Sequence, residues 1–499
     1  MYPIDFFWRS VARFPDAPAV IGPKGTISFG ELKSIVLQQA AAITALDPDV
    51  GSRVAIGAAN TVEHLVALLS TFAAGKVWIP LNPRNGDPEL KRIIDFAKPK
   101  LVLCDDELQQ RLAIQGVATV PLAALLAGQG DPSSVAMGPN SLAGCPMESP
   151  QAIKFTGGTT GTPKGVIQSL RTWNTNIFTQ IHELGLTRND RYLVAAPITH
   201  GTGTYVLPVL GAGGALIFPD YAKPDQMLDA IAAHKATLFF APATLLMVLA
   251  EEQRTKPRDV STLRYVIYGG APMRPEQIRV AKSIFGPIIC TSYGQTEAPQ
   301  VITFMSPEEM TETNIASVGR PTIATRIAIL DDAGRPVGVG ETGEIAVHGD
   351  LVMEGYLDAP EESAKTLVNG WLRTGDSGIV DERGYLFLRD RLRDVIITGG
   401  FNVYPSDVEI VLDSHPDIAD CVVLGVSDPK WGEAVHAAVQ LKPGRQVSAE
   451  SLMDFVRVEL GPVKTPKQIH FFDALPRSAV SKVMKDQLRV AIAKRESAA

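Results

Sequence analysis

The chain has 499 residues, 45% of them hydrophobic, and a formal net charge of −7. This length and apolar content exclude global disorder and allow more than one buried core, with roughly three structural units expected from length alone. The acidic balance, without a basic stripe interleaved with aromatics, argues against nucleic acid or an anionic membrane surface as partner, and the four widely separated cysteines (Cys104, Cys145, Cys290, Cys421) argue against disulfides and a zinc site.

At the N-terminus, Asp5 and Arg9 interrupt what would have to be the apolar part of a signal peptide. The most apolar helical stretch, Leu65 to Ala74, falls short of the ~20 residues that cross a bilayer. No integral membrane association is expected, and the predicted location is cytoplasmic. Arg53 to Ala58 reads as a buried strand, Asn60-x-x-Glu63 as a capping box, Leu65 to Phe72 as a helix face and Val77 to Leu81 as the next strand, which makes a βαβ unit. Similar alternation recurs at Leu101 to Cys104, Tyr192 to Ala195, Thr237 to Phe240 with a helix near Thr244 to Glu251, and Tyr265 to Tyr268. The first two-thirds is therefore α/β with doubly wound, largely parallel sheets.

From about Thr322 the pattern changes to short β segments with turns: Arg326 to Leu330, Asp332 to Arg335, Gly343 to His348, Gly375 to Val380 and Tyr385 to Leu388. They predict a barrel-like sheet closing a large domain, residues 1–390. Beyond it, a helix at Pro405 to Asp413, strands at Asp420 to Val426 and Val435 to Leu441, and a helix from Leu452 to Leu460 ended by Gly461 predict a small α+β domain, residues 391–499.

The most informative stretch is Thr156-Gly157-Gly158-Thr159-Thr160-Gly161-Thr162-Pro163-Lys164-Gly165, directly after the apolar segment Ala152 to Phe155. Glycines expose backbone N–H groups, threonine hydroxyls donate to phosphate oxygens, and the lysine adds a point charge. Pro163 before the lysine and Gly165 after it separate the stretch from the P-loop NTPase motif, and a flexible polar loop is its plainer reading. Three more loops follow predicted strands: Pro197 to Gly203, Gly269 to Met273, and Tyr293-Gly294-Gln295-Thr296-Glu297-Ala298. Loops beyond strand C-terminal ends form the ligand crevice of an open parallel sheet. A fifth cluster, Thr374-Gly375-Asp376 with the charge run Arg389 to Asp394, stands where the two predicted domains meet.

In this order, and continued by Gly399-Gly400-Phe401-Asn402-Val403-Tyr404-Pro405 and a terminal segment Pro476 to Lys482, these motifs resemble the adenylate-forming superfamily of acyl-CoA synthetases, adenylation domains and beetle luciferases. The resemblance covers nearly the whole chain and is closest to carboxylate-CoA ligases. It implies activation of a carboxylic acid by ATP with pyrophosphate release, then transfer of the acyl group to CoA. Both reactants of the first step are anions, so the site has charge to neutralise, which accounts for Mg²⁺ and lysines.

The resemblance assigns ATP or AMP binding to Thr156, Gly157, Gly158, Thr159, Thr160, Gly161 and Lys164, with Gly269, Gly270, Ala271, Tyr293 and Gly294 around the adenine and acyl group. Asp376 and Arg391 would hold the ribose, Glu297 the Mg²⁺, and Thr296 the α-phosphate. Lys482 would contact the substrate carboxylate and the α-phosphate bridging oxygen, although Ser481 replaces the family's usual glycine before it. His200 occupies the pocket-gating position. Arg393 occupies the hinge, within 391–393, about which the small domain rotates to bring Gly399 and Gly400 to the pantetheine channel. Arg84, Trp431 and Lys467 match CoA contacts of some benzoate-type ligases.

Each residue also has a plainer alternative: Glu297 a helix-start glutamate, Asp376 a turn aspartate, Tyr293 simple core, His200 a buried satisfied histidine, Lys482 a solvated terminal lysine. The predicted acyl-pocket residues, His200 to Tyr205, Gly269 to Met273 and Thr291 to Gly294, include no arginine or lysine. They favour an apolar aromatic, alicyclic or medium-chain acid over a diacid. Loading of a separate carrier protein, a non-catalytic acyl-adenylate binder and a homodimer are compatible with the same sequence.

Overall fold

In the computed structural model the described residues are 1–114, 116–127, 144–156, 164–220, 223–391, 394, 396–398, 401–428, 431–478 and 483–496. They divide into two units, one of residues 1–327, 346–374 and 384–386, the other of residues 328–345, 375–383 and 387–499.

Two large sheets build the first unit. Five successive neighbour pairs of the nine-stranded sheet are parallel, in the order Ile289–Tyr293, Tyr265–Gly269, Leu238–Pro242, Arg191–Leu193, Ala215–Ile217, Pro18–Gly22. Antiparallel strands flank this run on both sides. The seven-stranded sheet has the order Gly355–Tyr356, Lys164–Ser169, Pro150–Thr156, Val77–Leu81, Arg53–Gly57, Leu101–Cys104, Val120–Pro121. It is parallel from Pro150–Thr156 onward and antiparallel before it.

The helices Phe29–Leu46, Val62–Ala73, Leu170–Glu183 and Gly203–Gly211 share one core with strands of both sheets, through residues such as Phe72, Trp78, Trp173, Tyr192 and Tyr205. A second apolar layer, with Leu90, Ile93, Leu108 and Leu112, includes Ala55, Val77, Ile79 and Ile153 of the seven-stranded sheet. Helices therefore cover both faces of buried parallel strands, which is why those strands read as continuous apolar runs. Among the described residues, no helix is long and apolar enough to cross a membrane.

The β-rich stretch is present as the strands Arg326–Leu330, Gly343–His348, Trp371–Val380 and Leu386–Arg391. In the second unit, the helices Pro405–Asp413 and Ala449–Lys464 share a core with a sheet that includes Ile418–Asp428, Gly432–Leu441 and Gln468–Phe471. Leu488 and Ile492 of the helix Lys485–Glu496 form a smaller cluster with other residues of that sheet. Gly461 breaks the longer helix with φ 76°, as expected of a stop glycine.

One local reading is corrected. The helix Val62–Ala73 is capped by Thr61, whose hydroxyl accepts from the His64 N–H at 3.3 Å, and not by Asn60. Asn60 instead clamps a distant loop, donating to the Ala196 carbonyl at 2.6 Å and accepting from the Ile198 N–H at 2.9 Å. Glu63, the other half of the expected box, pairs with Lys24 at 2.9 Å.

Candidate active site

The glycine- and threonine-rich segment is framed by two antiparallel strands, with Thr156 opposite Lys164 and Phe155 opposite Gly165. Both ends of the segment are thus fixed by a ladder; Gly157, Gly158, Thr159, Thr160 and Gly161 lie outside the described residues. Gly165 is tightly packed, since a Cβ there would lie 3.1 Å from Ile153, Phe155 and Leu357.

Lys164 reaches toward the short strand Gly355–Tyr356. Its ammonium lies 3.0 Å from Glu362 and 5.3 Å from the centre of the Tyr356 ring. The Tyr356 hydroxyl donates to Glu297 Oε1 at 2.9 Å. Burial, with the Glu297 carboxylate alongside, pushes that hydroxyl well above its ordinary value and keeps it a donor.

The segment carrying Thr296 and Glu297 is an irregular loop after the strand Ile289–Tyr293. Gln168 Nε2 donates to the Thr296 carbonyl at 2.8 Å and the Met353 N–H to the Glu297 carbonyl at 2.8 Å. Gln295 Nε2 donates to the Thr374 carbonyl at 3.0 Å. Glu297 is half-buried and starts no helix, so the alternative of a helix-start glutamate is excluded.

Strand register identifies the face on which this loop lies. Lys154, Val166 and Tyr356 form one rung across three strands, and Ala152 and Gln168 form the next rung on the same side. Tyr356 and Gln168 both touch the loop, so that face of the seven-stranded sheet is the site's floor.

The neighbouring loops meet at the strand ends of the nine-stranded sheet. Tyr268 pairs with Thr291, and a Cβ at Gly269 would come 2.9 Å from the Ser292 carbonyl. Gly270, at φ 78°, turns the chain before Ala271. A Cβ at Gly294 would sit 2.6 Å from the backbone of Gln300, itself at φ 65°. Gln300 Nε2 donates to the Tyr205 hydroxyl and to Ser292 Oγ, both at 3.1 Å, tying the first helix turn after Gly203 to the strand end before Tyr293. His200 is exposed, with Nδ1 2.8 Å from Thr199 Oγ1, which excludes the buried-histidine alternative. Tyr293 is only 7% exposed.

The first unit thus brings together Thr156, Lys164, Thr296 and Glu297, and places Gly269, Gly270, Tyr293 and Gly294 on adjacent strand ends. Arg84 is exposed in the same unit, at the turn where its N–H donates to Asn82 Oδ1 at 3.0 Å. Asp376 belongs to the second unit and follows Gly375, whose φ is 69° and whose N–H donates to Glu344 at 3.1 Å. Lys467 stacks over Trp431 there, with its ammonium 5.5 Å from the ring centre and 3.1 Å from the Pro462 carbonyl. Arg391 ends the strand Leu386–Arg391; Arg393, Gly399, Gly400 and Lys482 lie outside the described residues.

Three residues of this region escaped the sequence reading. Tyr356 and Gln300 have no motif around them and matter only through contacts made across the fold. Lys154 falls within an apolar segment of the sequence, yet it is a lysine only 7% exposed, 5.1 Å from the Trp78 ring centre and 5.5 Å from that of Trp173.

The chain matches the family described as AMP-binding enzyme over residues 7–357 and the AMP-binding enzyme C-terminal domain over residues 407–482. It is 32% identical to a feruloyl-CoA synthase of Amycolatopsis, over 96% of this chain and 97% of that protein. It is also 32% identical to the medium/long-chain-fatty-acid–CoA ligase FadD8 of Mycobacterium tuberculosis, over 96% and 88%. Among solved structures, the amide bond synthetase McbA of Marinactinospora thermotolerans superposes with a TM-score of 0.88 at 30% identity, covering 98% of this chain and 100% of that one. The o-succinylbenzoate CoA synthetase MenE of Bacillus subtilis, in complex with ATP and magnesium, superposes with a TM-score of 0.87 at 29% identity, covering 97% and 99%. With both family domains in sequence order and full-length likeness to CoA ligases, the chain belongs to the AMP-binding enzymes, the adenylate-forming superfamily, on its carboxylate-CoA ligase side.

Proposed function

We propose that the protein is an ATP-dependent carboxylate-CoA ligase acting on an acid with a largely apolar body. The observation that carries this reading is the convergence of a cation and a carboxylate on one floor: Lys164 over the Tyr356 ring, and Tyr356 bonded to Glu297. A cation at the end of a phosphate loop and a carboxylate linked to it through one tyrosine suit a nucleotide whose phosphates arrive with a divalent metal.

The residues fit Mg²⁺. Glu297 offers one half-buried carboxylate, and Mg²⁺ bound through phosphates takes only one or two protein carboxylates. When bound, Mg²⁺ supplies charge neutralisation at the phosphates. Tyr356 orients Glu297, Lys164 exchanges Glu362 for phosphate oxygens, and Thr296 donates toward the α-phosphate. Lys482 approaches the attacking carboxylate and Arg391 and Asp376 hold the ribose. After pyrophosphate leaves, rotation about Arg393 withdraws Lys482 and brings Gly399 and Gly400 to the thiol path, with Trp431, Lys467 and Arg84 toward CoA. His200 gates the acyl pocket.

The likeness to an amide bond synthetase favours one competing reading, in which an amine receives the acyl group from the adenylate. A panel of aromatic, alicyclic and medium-chain acids with ATP and Mg²⁺, with CoA or amines as acceptor, tests both. Pyrophosphate release followed by a CoA thioester of the expected mass supports the ligase; amides with CoA inert support the competitor. Absence of pyrophosphate with every acid refutes both.

A further inference from the structure

Lys154 stands in the middle of the strand Pro150–Thr156, on the floor of the site, and its side chain is 7% exposed. Among the described residues, no carboxylate and no hydrogen-bond acceptor meets its ammonium; what surrounds it is the faces of Trp78 and Trp173. Those indoles bring two further donors, since Trp78 Nε1 and Trp173 Nε1 are buried and, among the described residues, have no hydrogen-bond partner. Buried charges are normally paired and buried donors normally bonded. The ammonium, and each of the two indole N–H groups in the rings beside it, is a donor lacking an oxygen.

The location separates this set from the phosphate end of the site. Lys154 shares its rung with Tyr356 but lies two strands away from it, roughly 10 Å across the sheet. Its ammonium leans further away, toward Trp78 on the next strand. Trp78 reaches the acyl side of the crevice, because its Cη2 would lie 3.5 Å from a Cβ at Gly203, where the helix following His200 begins. Trp173 belongs to the helix Leu170–Glu183, which is bonded to that same helix through Asn176 and the Thr204 carbonyl at 3.2 Å.

Resting on the ligase reading above, we propose that Lys154 determines specificity: it is the buried donor for an oxygen acceptor carried on the acyl substrate away from the carboxylate that is activated. The preferred acid then has an apolar body with one distal oxygen function, either a neutral carbonyl or hydroxyl or an anionic second carboxylate or phenolate. This modifies the expectation of a purely apolar acid, which rested on pocket loops that contain no cation.

The test uses the full-length enzyme and matched pairs of acids that differ only in a distal oxygen, assayed by pyrophosphate release. Wild type should favour the oxygenated member at least tenfold in kcat/KM. Lys154→Met should erase that preference through KM for the acid, while KM for ATP stays put. Lys154→Gln, a donor without charge, should restore the preference for neutral oxygens only if hydrogen bonding is what matters, and not for anionic ones. The proposal is overturned by a wild type indifferent to the distal oxygen, by equal losses on both members in Lys154→Met, or by a change confined to KM for ATP. The wild-type arm decides even where a variant fails to fold. Absence of pyrophosphate from any acid sinks the ligase reading and this inference with it, whereas turnover without oxygen preference sinks the inference alone.

Discussion

Replacing Lys154 by methionine should make the protein more stable while costing it selectivity. Burial holds the Lys154 ammonium down to about 8, against 10.5 for an ordinary lysine. That gap of roughly 2.5 in pH corresponds to about 3 kcal/mol, at about 1.4 kcal/mol per pH unit. Contacts with the two indole faces offset part of this cost. Methionine has a similar length, suits an aromatic surround and carries no charge to desolvate. The pH dependence has a definite sign. A lysine whose folded value lies below its unfolded value is charged in both states below pH 8, so its cost is fully present there. Between about 8 and 10.5 the unfolded chain holds the extra proton and the folded state gains in relative stability. The variant's advantage should therefore be largest near pH 7 and shrink as pH rises past 8. Thermal melts of wild type and Lys154→Met at pH 7 and 9.5 read this directly: a Tm raised by about 1–2 °C at pH 7, with a smaller difference at 9.5. A variant that melts lower than wild type at pH 7, or an advantage unchanged by pH, would refute the reasoning.

Tyr356→Phe removes only the hydroxyl that holds Glu297 Oε1 at 2.9 Å; the Mg²⁺ concentration for half-maximal pyrophosphate release should rise roughly ten- to a hundredfold, as is usual on loss of an outer partner to a metal ligand. Binding of Mn²⁺ with ATP, followed by paramagnetic resonance, should weaken in parallel, and an unaltered metal dependence would count against Tyr356. Gly294→Ala drives a Cβ to 2.6 Å from the backbone of Gln300, whose side chain is bonded to Tyr205 and Ser292; a loss of about 1–3 kcal/mol is expected, read as a lowered Tm together with impaired acid activation. Lys482→Ala should cost about 3–4 kcal/mol in the adenylation transition state, some hundred- to thousandfold in rate. Thioester formation from synthetic acyl-adenylate should survive it, and equal loss in both half-reactions would contradict the role given to Lys482.

What could be read from the chain is what is written locally. The phosphate segment announces itself because glycine, threonine, proline and lysine are crowded into ten consecutive positions, and the helix Pro405–Asp413 because a proline start and an apolar spacing coincide. The strands Val77–Leu81 and Leu101–Cys104 are legible because burial on both faces leaves unbroken apolar runs. Asn60 shows the limit of such signals. Its position before Thr61 suggests a cap, but the bonds it makes lie 136 and 138 residues away, and nothing next to it encodes them. Tyr356 and Glu297 are separated by 59 residues, and their meeting depends on which strand borders Lys164–Ser169 and in what register.

Lys154 is the instructive case, because its identity was in plain view while its meaning was not. Within an apolar strand, period-two alternation assigns it to one of two faces, and only the pairing with Val166 and Tyr356 makes that face the floor of the site. Loops carry the reaction's general chemistry in local composition, so a family is legible from one sequence. Selectivity here falls to a side chain on a strand, placed by sheet register, and its charge is tolerated at a cost in stability that would be hard to account for without a ligand to meet it.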